Sequence, residues 1–450
     1  MPHYVDDTIA ALATPFGISA IAIIRVSGKD VDAVIQYLTG KKNLRPRYST
    51  LVDILSPETQ DVLDNSIITF FPAPNSYTGE NILEISCHGG EYTPKVILSA
   101  LYSFGVRPAR AGEFSYRAFM NGKIDLLQAE SINGLINSKT GAQAAANLKN
   151  ISGHLGSKIN HLRQMLIETV SLIEHELDFR ENEITFTDRN TILKKISLVS
   201  DTISELLSTF VIGKSLSQGV RIPLIGRPNT GKSSLFNAIL GHERAIISHI
   251  PGTTRDTLEA WLDLDSFSVC LVDTAGFWES SDFLENLGIE RALSEIGRAD
   301  FLIFVDDHDP KNEFDRLDIS IDQDRVIFVR TKCDLSSDIW INSNNEILTT
   351  STRNGEGLPQ LITQLSTKIR STYKNINEDS VFLMTARQNT LLLKANTFIN
   401  NTLNSFSSGH EMDMLASDLH ELVRILDEVV GIITNREIIE NIFSNFCVGK

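Results

Sequence analysis

The run Gly226-Arg227-Pro228-Asn229-Thr230-Gly231-Lys232-Ser233 constrains this chain more than any other feature. It follows an apolar stretch, 222–225, that reads as a strand, and precedes a helical pattern over 234–240. Glycines at its first and sixth positions let backbone N–H groups face phosphate oxygens, and the helix N-terminus adds further donors. The pattern G-x-x-x-x-G-K-[S/T] in this strand–loop–helix context predicts a phosphate-binding loop inside an α/β domain. Lys232 is expected to bridge the β- and γ-phosphates, and the Ser233 hydroxyl to ligate Mg²⁺.

Other segments of the same region supply the rest of a guanine-nucleotide site. Asp273-Thr274-Ala275-Gly276 follows a strand expected over 268–272, which predicts Asp273 in the Mg²⁺ shell and Gly276 near the γ-phosphate. Thr253 and Thr254 lie between the two motifs, where a loop could close over the ion; one of them, taken as Thr254, is expected to reach Mg²⁺. Thr331-Lys332-Cys333-Asp334 follows another strand. Asp334 can accept two N–H bonds from guanine that adenine cannot supply, and Lys332 can lay its stem along the base. Ser351-Thr352 follows a further strand, with Gly355 and Gly357 allowing a tight loop. The expected GTP contacts are therefore Asn229, Thr230, Gly231, Lys232, Ser233, Ser234, Thr254, Asp273, Thr274, Ala275, Gly276, Thr331, Lys332, Asp334, Ser351 and Thr352.

At 450 residues the chain is too long for one ordinary domain. Residues 1–120 read as a small α+β domain, with strands expected at 20–26, 67–71 and 81–86 and a helix at 94–101. From 121 to 215 the texture is helical: Leu162, Leu166, Val170 and Ile173 form one stripe, and Ile192, Ile196, Ile203 and Leu207 another. Strands alternate with helices over 216–375, the remaining strand candidates being 301–305, 325–329 and 346–349. Helical periodicity resumes over 376–450, where Leu415, Leu419, Leu422, Leu426 and Val430 make a stripe, Gly431 a stop, and Thr434 to Glu437 a capping box. The order helical, α/β, helical predicts a nucleotide domain inserted in a helical bundle. A net charge of -16 argues against coating nucleic acid with the whole surface but leaves room for a local basic patch. Cys87, Cys270, Cys333 and Cys447 form no CxxC pair, which favours a reducing compartment. An acidic start and the lack of 18 uncharged apolar residues in a row predict a cytoplasmic protein without a membrane span.

Over essentially its whole length the chain resembles the MnmE (TrmE) tRNA-modification GTPases. The resemblance runs through Asp7-Thr8-Ile9-Ala10, Arg25-Val26-Ser27-Gly28, Tyr77-Thr78-Gly79-Glu80, Cys87-His88-Gly89-Gly90 and the long segment Gly112 to Glu130. It continues through the phosphate loop and ends in Phe446-Cys447-Val448-Gly449-Lys450. It implies a multidomain α/β and α+β architecture: an N-terminal folate-binding domain that dimerises, a helical domain, and a Ras-like GTPase domain inserted in it. The implied activity is GTP hydrolysis, coupled through an FAD-containing MnmG-type partner in a heterotetramer or larger complex. Its product is an aminomethyl or carboxymethylaminomethyl group on carbon 5 of a tRNA wobble uridine.

Reduced folate, as 5-formyl- or methylene-tetrahydrofolate, is implied at Arg25, Glu84, Lys123 and Lys450, and K⁺ at Asn229. Glu285 is implied as the acid that orients the attacking water, and Cys447 as a functional thiol, with a buried structural cysteine as the alternative. Four departures from the family pattern stand out: Thr331 for asparagine, Thr352 for alanine, Pro223 inside a strand, and Phe277-Trp278. A regulatory switch that docks to an assembly without modification chemistry is the competing reading.

Overall fold

A computed structural model describes residues 7–178, 189–242, 258–264, 267–274, 294–317, 321–335, 347–372, 381–409, 411–433 and 435–450. The chain divides into two compact units. One comprises Met1–Asn133, Asn150–Ile203 and Thr390–Lys450, the other Gly134–Lys149 and Ser204–Asn389.

The first unit holds a six-stranded sheet of β1 (Ile9–Leu12), β2 (Ile21–Ser27), β3 (Thr50–Leu55), β4 (Val62–Phe71), β5 (Ile82–His88) and β6 (Arg107–Pro108), in the order β3-β4-β5-β2-β1-β6. Helices α1 (Val31–Thr39) and α2 (Thr93–Phe104) bury Val34, Leu38, Ile97 and Leu101 against Ile24, Val26, Ile54, Ile68 and Ile85. Because side chains alternate along a strand, Ile24 and Val26 face these helices while Arg25 between them faces the other way. The three strands expected from sequence are β2, β4 and β5. The four-residue β1 and two-residue β6 are too short to show a period, and β3 is an edge strand of mixed polarity.

Helices α3 (Glu113–Met120), α4 (Leu126–Ile136) and α5 (Gly141–Ile151) lead into the long α6 (His154–Asp178). The stripe Leu162, Leu166, Val170 and Ile173 is buried, and α6 packs against helix Met412–Val430, whose Leu415, Leu419, Leu422, Leu426 and Val430 are buried as well. Each such side chain contributes about 1.5–3 kcal/mol of transfer free energy. Arg163 pairs with Asp427 between the two helices. Gly431 caps the second helix in a left-handed conformation, as expected. In α7 (Arg189–Ser208), Ile192, Ile196 and Ile203 are buried, but Leu206 and Val199 complete the stripe and Leu207 is only half-buried. The helical advance from Ile203 brings residue 206 nearer the core axis than 207.

The last helix, Arg436–Ser444, is capped by Asn435, whose side chain accepts the Glu437 N–H. That shifts the expected cap by one residue; Thr434 lies outside the described residues. Among the described residues one helical stretch, Arg189–Ser215, is long and apolar enough to cross a membrane by composition, with mean hydropathy 1.3. Its apolar side chains at 192, 196, 199, 203 and 206 are buried within the protein.

In the second unit, α8 (Phe210–Gln218) leads into a sheet of β7 (Val220–Ile225), β8 (Leu258–Leu264), β9 (Phe267–Asp273), β10 (Leu302–Asp306), β11 (Val326–Arg330) and β12 (Ile347–Thr349), ordered β12-β11-β10-β7-β9-β8. All neighbours are parallel except β8 with β9. Five of the six strands match the expected ones. The exception is β8, where Trp261 blurs the alternation that buries Ala260, Leu262 and Leu264. Helix α9 (Lys232–His242) and helix Leu358–Thr372 cover the sheet with Leu235, Phe236, Ile239, Leu361, Leu365 and Ile369.

Pro223, awkward for a central strand, is accommodated by register. The Arg221 N–H points towards the β10 side, onto the Asp300 carboxylate at 2.8 Å, and alternation turns the Pro223 nitrogen the same way. Pairing of β7 with β10 begins only at Leu224, so the missing N–H falls where that ladder starts and not within it.

Candidate functional site

The phosphate loop lies at the C-terminal end of β7, where parallel sheets open their ligand crevice. At Gly226 φ is 156°, and an added Cβ would stand 1.9 Å from the Val305 carbonyl oxygen of β10, so only glycine fits there. Asn229 is exposed and left-handed, with φ 63°. Helix α9 begins at Lys232, which turns its first free N–H groups towards the loop.

The Lys232 side chain is 4% exposed, and its Nζ donates to the carbonyls of Gly226 at 2.9 Å and Arg227 at 2.6 Å. The loop is thereby curled around an ammonium. Burial lowers the Lys232 pKa, opposed by the attraction of Asp273. Asp273 ends the adjacent strand β9 and is itself 4% exposed. The next residue, fully buried Thr274, donates its hydroxyl to the Leu224 carbonyl and pins the end of β9 to β7. Thr230 closes the loop by donating to the Arg227 carbonyl at 2.9 Å. Ser233 is half-buried and Ser234 exposed.

The segment after β11 is tied to this loop at two points. Buried Thr331 donates its hydroxyl to the Thr230 carbonyl and its N–H to the Asp306 carbonyl at 2.9 Å. Lys332, left-handed at φ 57°, donates from Nζ to the Asn229 carbonyl at 2.7 Å and to Asp307 at 2.9 Å. Asp334 sits in a short 3₁₀ turn, Cys333–Leu335, and accepts the Ser351 hydroxyl at 2.8 Å. Ser351 is fully buried, held by its N–H on the Glu356 carbonyl at 2.9 Å, whereas Thr352 is exposed. Residues separated by a hundred positions thus converge on one edge of the sheet.

Sequence reasoning overlooked one pair here. Arg227 donates from Nε and Nη2 to one Asp306 oxygen at 3.1 and 2.9 Å, and Asp306 also accepts the N–H groups of His308 and Asp309. An acid ending the otherwise apolar β10 was the available signal. Thr253, Thr254, Ala275, Gly276, Phe277, Trp278 and Glu285 lie outside the described residues.

A second group of expected residues gathers on the sheet of the first unit. Arg25 and Glu84 are directly opposite on β2 and β5, and the guanidinium donates twice to Glu84 Oε1 at 3.0 and 2.8 Å. Its third nitrogen donates to the Gly449 carbonyl at 3.3 Å. The rings of Tyr77 and Phe114 lie 5.6 and 5.7 Å from the guanidinium carbon, neighbours that sequence reading did not pick out. Lys450 is half-buried, and burial together with the positive charge of Arg25 lowers its pKa. Lys123 is exposed and lies over Gly79, in the loop that supplies Tyr77.

The terminal tail is docked, not frayed. Val448 bridges Ala111, and a Cβ on left-handed Gly449 would come within 2.4 Å of the Leu12 carbonyl oxygen. Cys447 is exposed, which removes the buried structural alternative. The last helix is anchored chiefly by Phe443 and Phe446: Phe443 is fully buried against Tyr116 and Phe119, while Ile442 is half-buried.

Behind this face, Arg117 is 2% exposed and pairs with Asp7, Glu80 and Glu113, and Arg107 also binds Asp7 and Glu113. Burial alone would raise the Asp7 and Glu113 pKa values. Hydrogen bonds and charge from the two arginines outweigh it and hold both carboxyls below their usual range.

Known sequences resemble this chain over nearly its whole length. The family described as "GTP-binding protein TrmE N-terminus" matches residues 8–123, and the "MnmE helical domain" matches residues 126–447. The protein named "tRNA modification GTPase MnmE" from Aquifex aeolicus (strain VF5) is 36% identical over 99% of this chain and 100% of its own. Its namesakes from Natranaerobius thermophilus and Thermosipho melanesiensis are 34% and 36% identical over the same shares. With both family matches spanning the two units and relatives aligned end to end, the chain belongs to the MnmE family.

Proposed function

We propose that this chain is a GTPase that hydrolyses GTP as part of a complex that modifies carbon 5 of the wobble uridine in certain tRNAs. One observation carries the hydrolase reading: a buried Lys232 wrapped by the phosphate loop, one strand from a buried Asp273. In this reading the Lys232 ammonium neutralises the β- and γ-phosphates, and the amides at the start of α9 hold their oxygens. Ser233 and Asp273 offer hard oxygen donors, the set that suits Mg²⁺, which would neutralise developing charge on the phosphates. Asp334, oriented by Ser351, reads the guanine edge, and Lys332 supports the base. Asn229, exposed on a left-handed turn of the loop, fits the role of K⁺ ligand, and Glu285 that of orienting the attacking water.

The N-terminal sheet is proposed to hold reduced folate. Arg25, Lys123 and Lys450 offer cations for its carboxylates, and Glu84 an acceptor for pterin N–H groups. Exposed Cys447 stands on the same docked tail as Lys450. The domain partition we propose is 1–120, 121–215, 216–375 and 376–450. Insertion of the nucleotide domain is supported by the chain order, because the second unit is flanked in sequence on both sides by the first. Homodimerisation, an FAD-dependent MnmG-type partner and a cytoplasmic site of action belong to the same proposal.

Phosphate release by Lys232→Ala, with and without Mg²⁺, tests the hydrolase. Near-normal turnover in that variant rejects the assigned site. Mass spectrometry of tRNA nucleosides from cells lacking the protein tests the product, and an unchanged wobble uridine would favour a switch without modification chemistry.

A further inference from the structure

The chain carries 57 acids against 41 cations, yet between Asp32 and Asp53 it holds no acid at all. In that interval Lys41, Lys42, Arg45 and Arg47 fall within seven residues, between the left-handed Gly40 that ends α1 and the start of β3. All four are exposed, and among the described residues none has a carboxylate partner. An isolated run of this kind on a strongly acidic chain concentrates positive potential at one place.

The loop is built as well as charged. Half-buried Leu44 packs into the core beneath it. Arg47 is left-handed, donates its N–H to the Phe70 carbonyl at 2.8 Å, and places its guanidinium on the Asn75 carbonyl and 5.8 Å from the Phe71 ring. Arg45 stands 5.1 Å from the ring of Tyr48, which is itself 56% exposed. A guanidinium beside the exposed Tyr48 ring gives both a phosphate contact and a stacking platform for an unpaired base, while the Phe71 ring beside Arg47 is half-buried.

The loop also leads directly to the face that carries Arg25. Ser49 meets Thr69 at 3.4 Å, Thr69 is opposite Glu84, and Glu84 is opposite Arg25, so a single cross-strand row joins them. At roughly 4.8 Å per strand spacing, Ser49 at the end of the loop lies about 10 Å from Glu84 and about 14 Å from Arg25. That is on the order of two or three nucleotides of extended single strand.

We propose that the loop 40–48 is a docking surface for the tRNA substrate, its four cations taking backbone phosphates and Tyr48 receiving a base, so that the target nucleoside is held beside the Arg25–Glu84 face. This rests on the tRNA-modification reading above, and extends it by naming the surface.

The test measures binding of bulk tRNA to the full-length protein by fluorescence anisotropy over a range of salt. Lys41→Gln with Lys42→Gln removes two charges and leaves the Arg45 and Arg47 contacts intact. The slope of log K against log salt should become shallower by roughly 1.4, and by about 3 when Arg45→Gln and Arg47→Gln are added. Tyr48→Ala should weaken binding at least about fivefold with an unaltered slope, because a stacked base is lost without a charge. GTP turnover should be unchanged in every variant, which also shows that the chain still folds. An unchanged slope in the double variant overturns the loop as a docking surface while leaving the modification reading intact. Absence of tRNA binding by the unaltered protein would count against both the loop and the tRNA reading.

Discussion

Thr331 stands where the family pattern has asparagine, and the structure shows what its hydroxyl does. It donates to the Thr230 carbonyl and so ties the segment proposed to read the base to the loop 226–233. Thr331→Val keeps the shape and removes this donor. Both residues are buried, at 3% and 2% exposure, so the Thr230 carbonyl would be left without this partner in a dry place. An abandoned buried acceptor costs about 1–3 kcal/mol. If the free loops relax and solvate while the nucleotide-bound form must hold them together, the cost appears in binding. The expected loss in GTP affinity is then roughly five- to 150-fold. Thr331→Ser retains the hydroxyl and should stay within about threefold of the unaltered protein, roughly 0.6 kcal/mol. Thr331→Asn should tighten binding by no more than about tenfold, the worth of one neutral hydrogen bond gained. Calorimetric titration with a non-hydrolysable GTP analogue measures all three. Full affinity in Thr331→Val, or a serine variant as weak as the valine one, would refute the tether.

Asp334→Asn should shift preference from guanosine towards xanthosine triphosphate, because the amide offers a donor to the xanthine oxygen; unchanged selectivity in competitive titration would mean the base is read elsewhere. Potassium should raise turnover well above sodium at equal ionic strength, and Asn229→Ala should flatten the difference; equal rates in both salts for the unaltered protein count against a cation at that position. Cys447→Ser should leave GTP turnover intact while eliminating wobble-uridine modification, and deletion of Gly449 and Lys450 should weaken reduced-folate binding in calorimetry through loss of a charged contact. Stability should also depend on acid pH. Asp7 and Glu113 have depressed pKa values, so their contribution is complete above the ordinary carboxyl range and is lost as pH falls through the folded values. Thermal unfolding should therefore steepen in that window, and Arg117→Met should blunt the effect while costing about 3–5 kcal/mol, as expected for breaking a buried ion pair; an equally steep acid dependence in that variant would exclude the arginine as its source.

Much of this molecule is written locally. A phosphate loop announces itself because each position answers a backbone demand within eight residues: glycine where β10 crowds the chain, lysine and serine where α9 begins. Long amphipathic stripes such as Leu415 to Val430 are equally plain, since burial repeats every three or four residues along one helix. The phosphate-loop pattern was therefore legible, and resemblance pointed to Arg25 and Glu84, which the sheet sets opposite one another. What sequence could not supply was contact between distant positions. Thr331 and Thr230 are 101 residues apart, and Arg25 and Gly449 are 424 apart. Neither pairing leaves a periodic trace, because each depends on which strands become neighbours. Tertiary packing also decides that Pro223 sits where the β7–β10 ladder starts and that Phe443 fills the gap beside Tyr116. The sequence by itself determined the chemistry each segment carries; only tertiary packing decided which segments share a site, since burial and register are properties of the assembled sheet and not of any one stretch of chain.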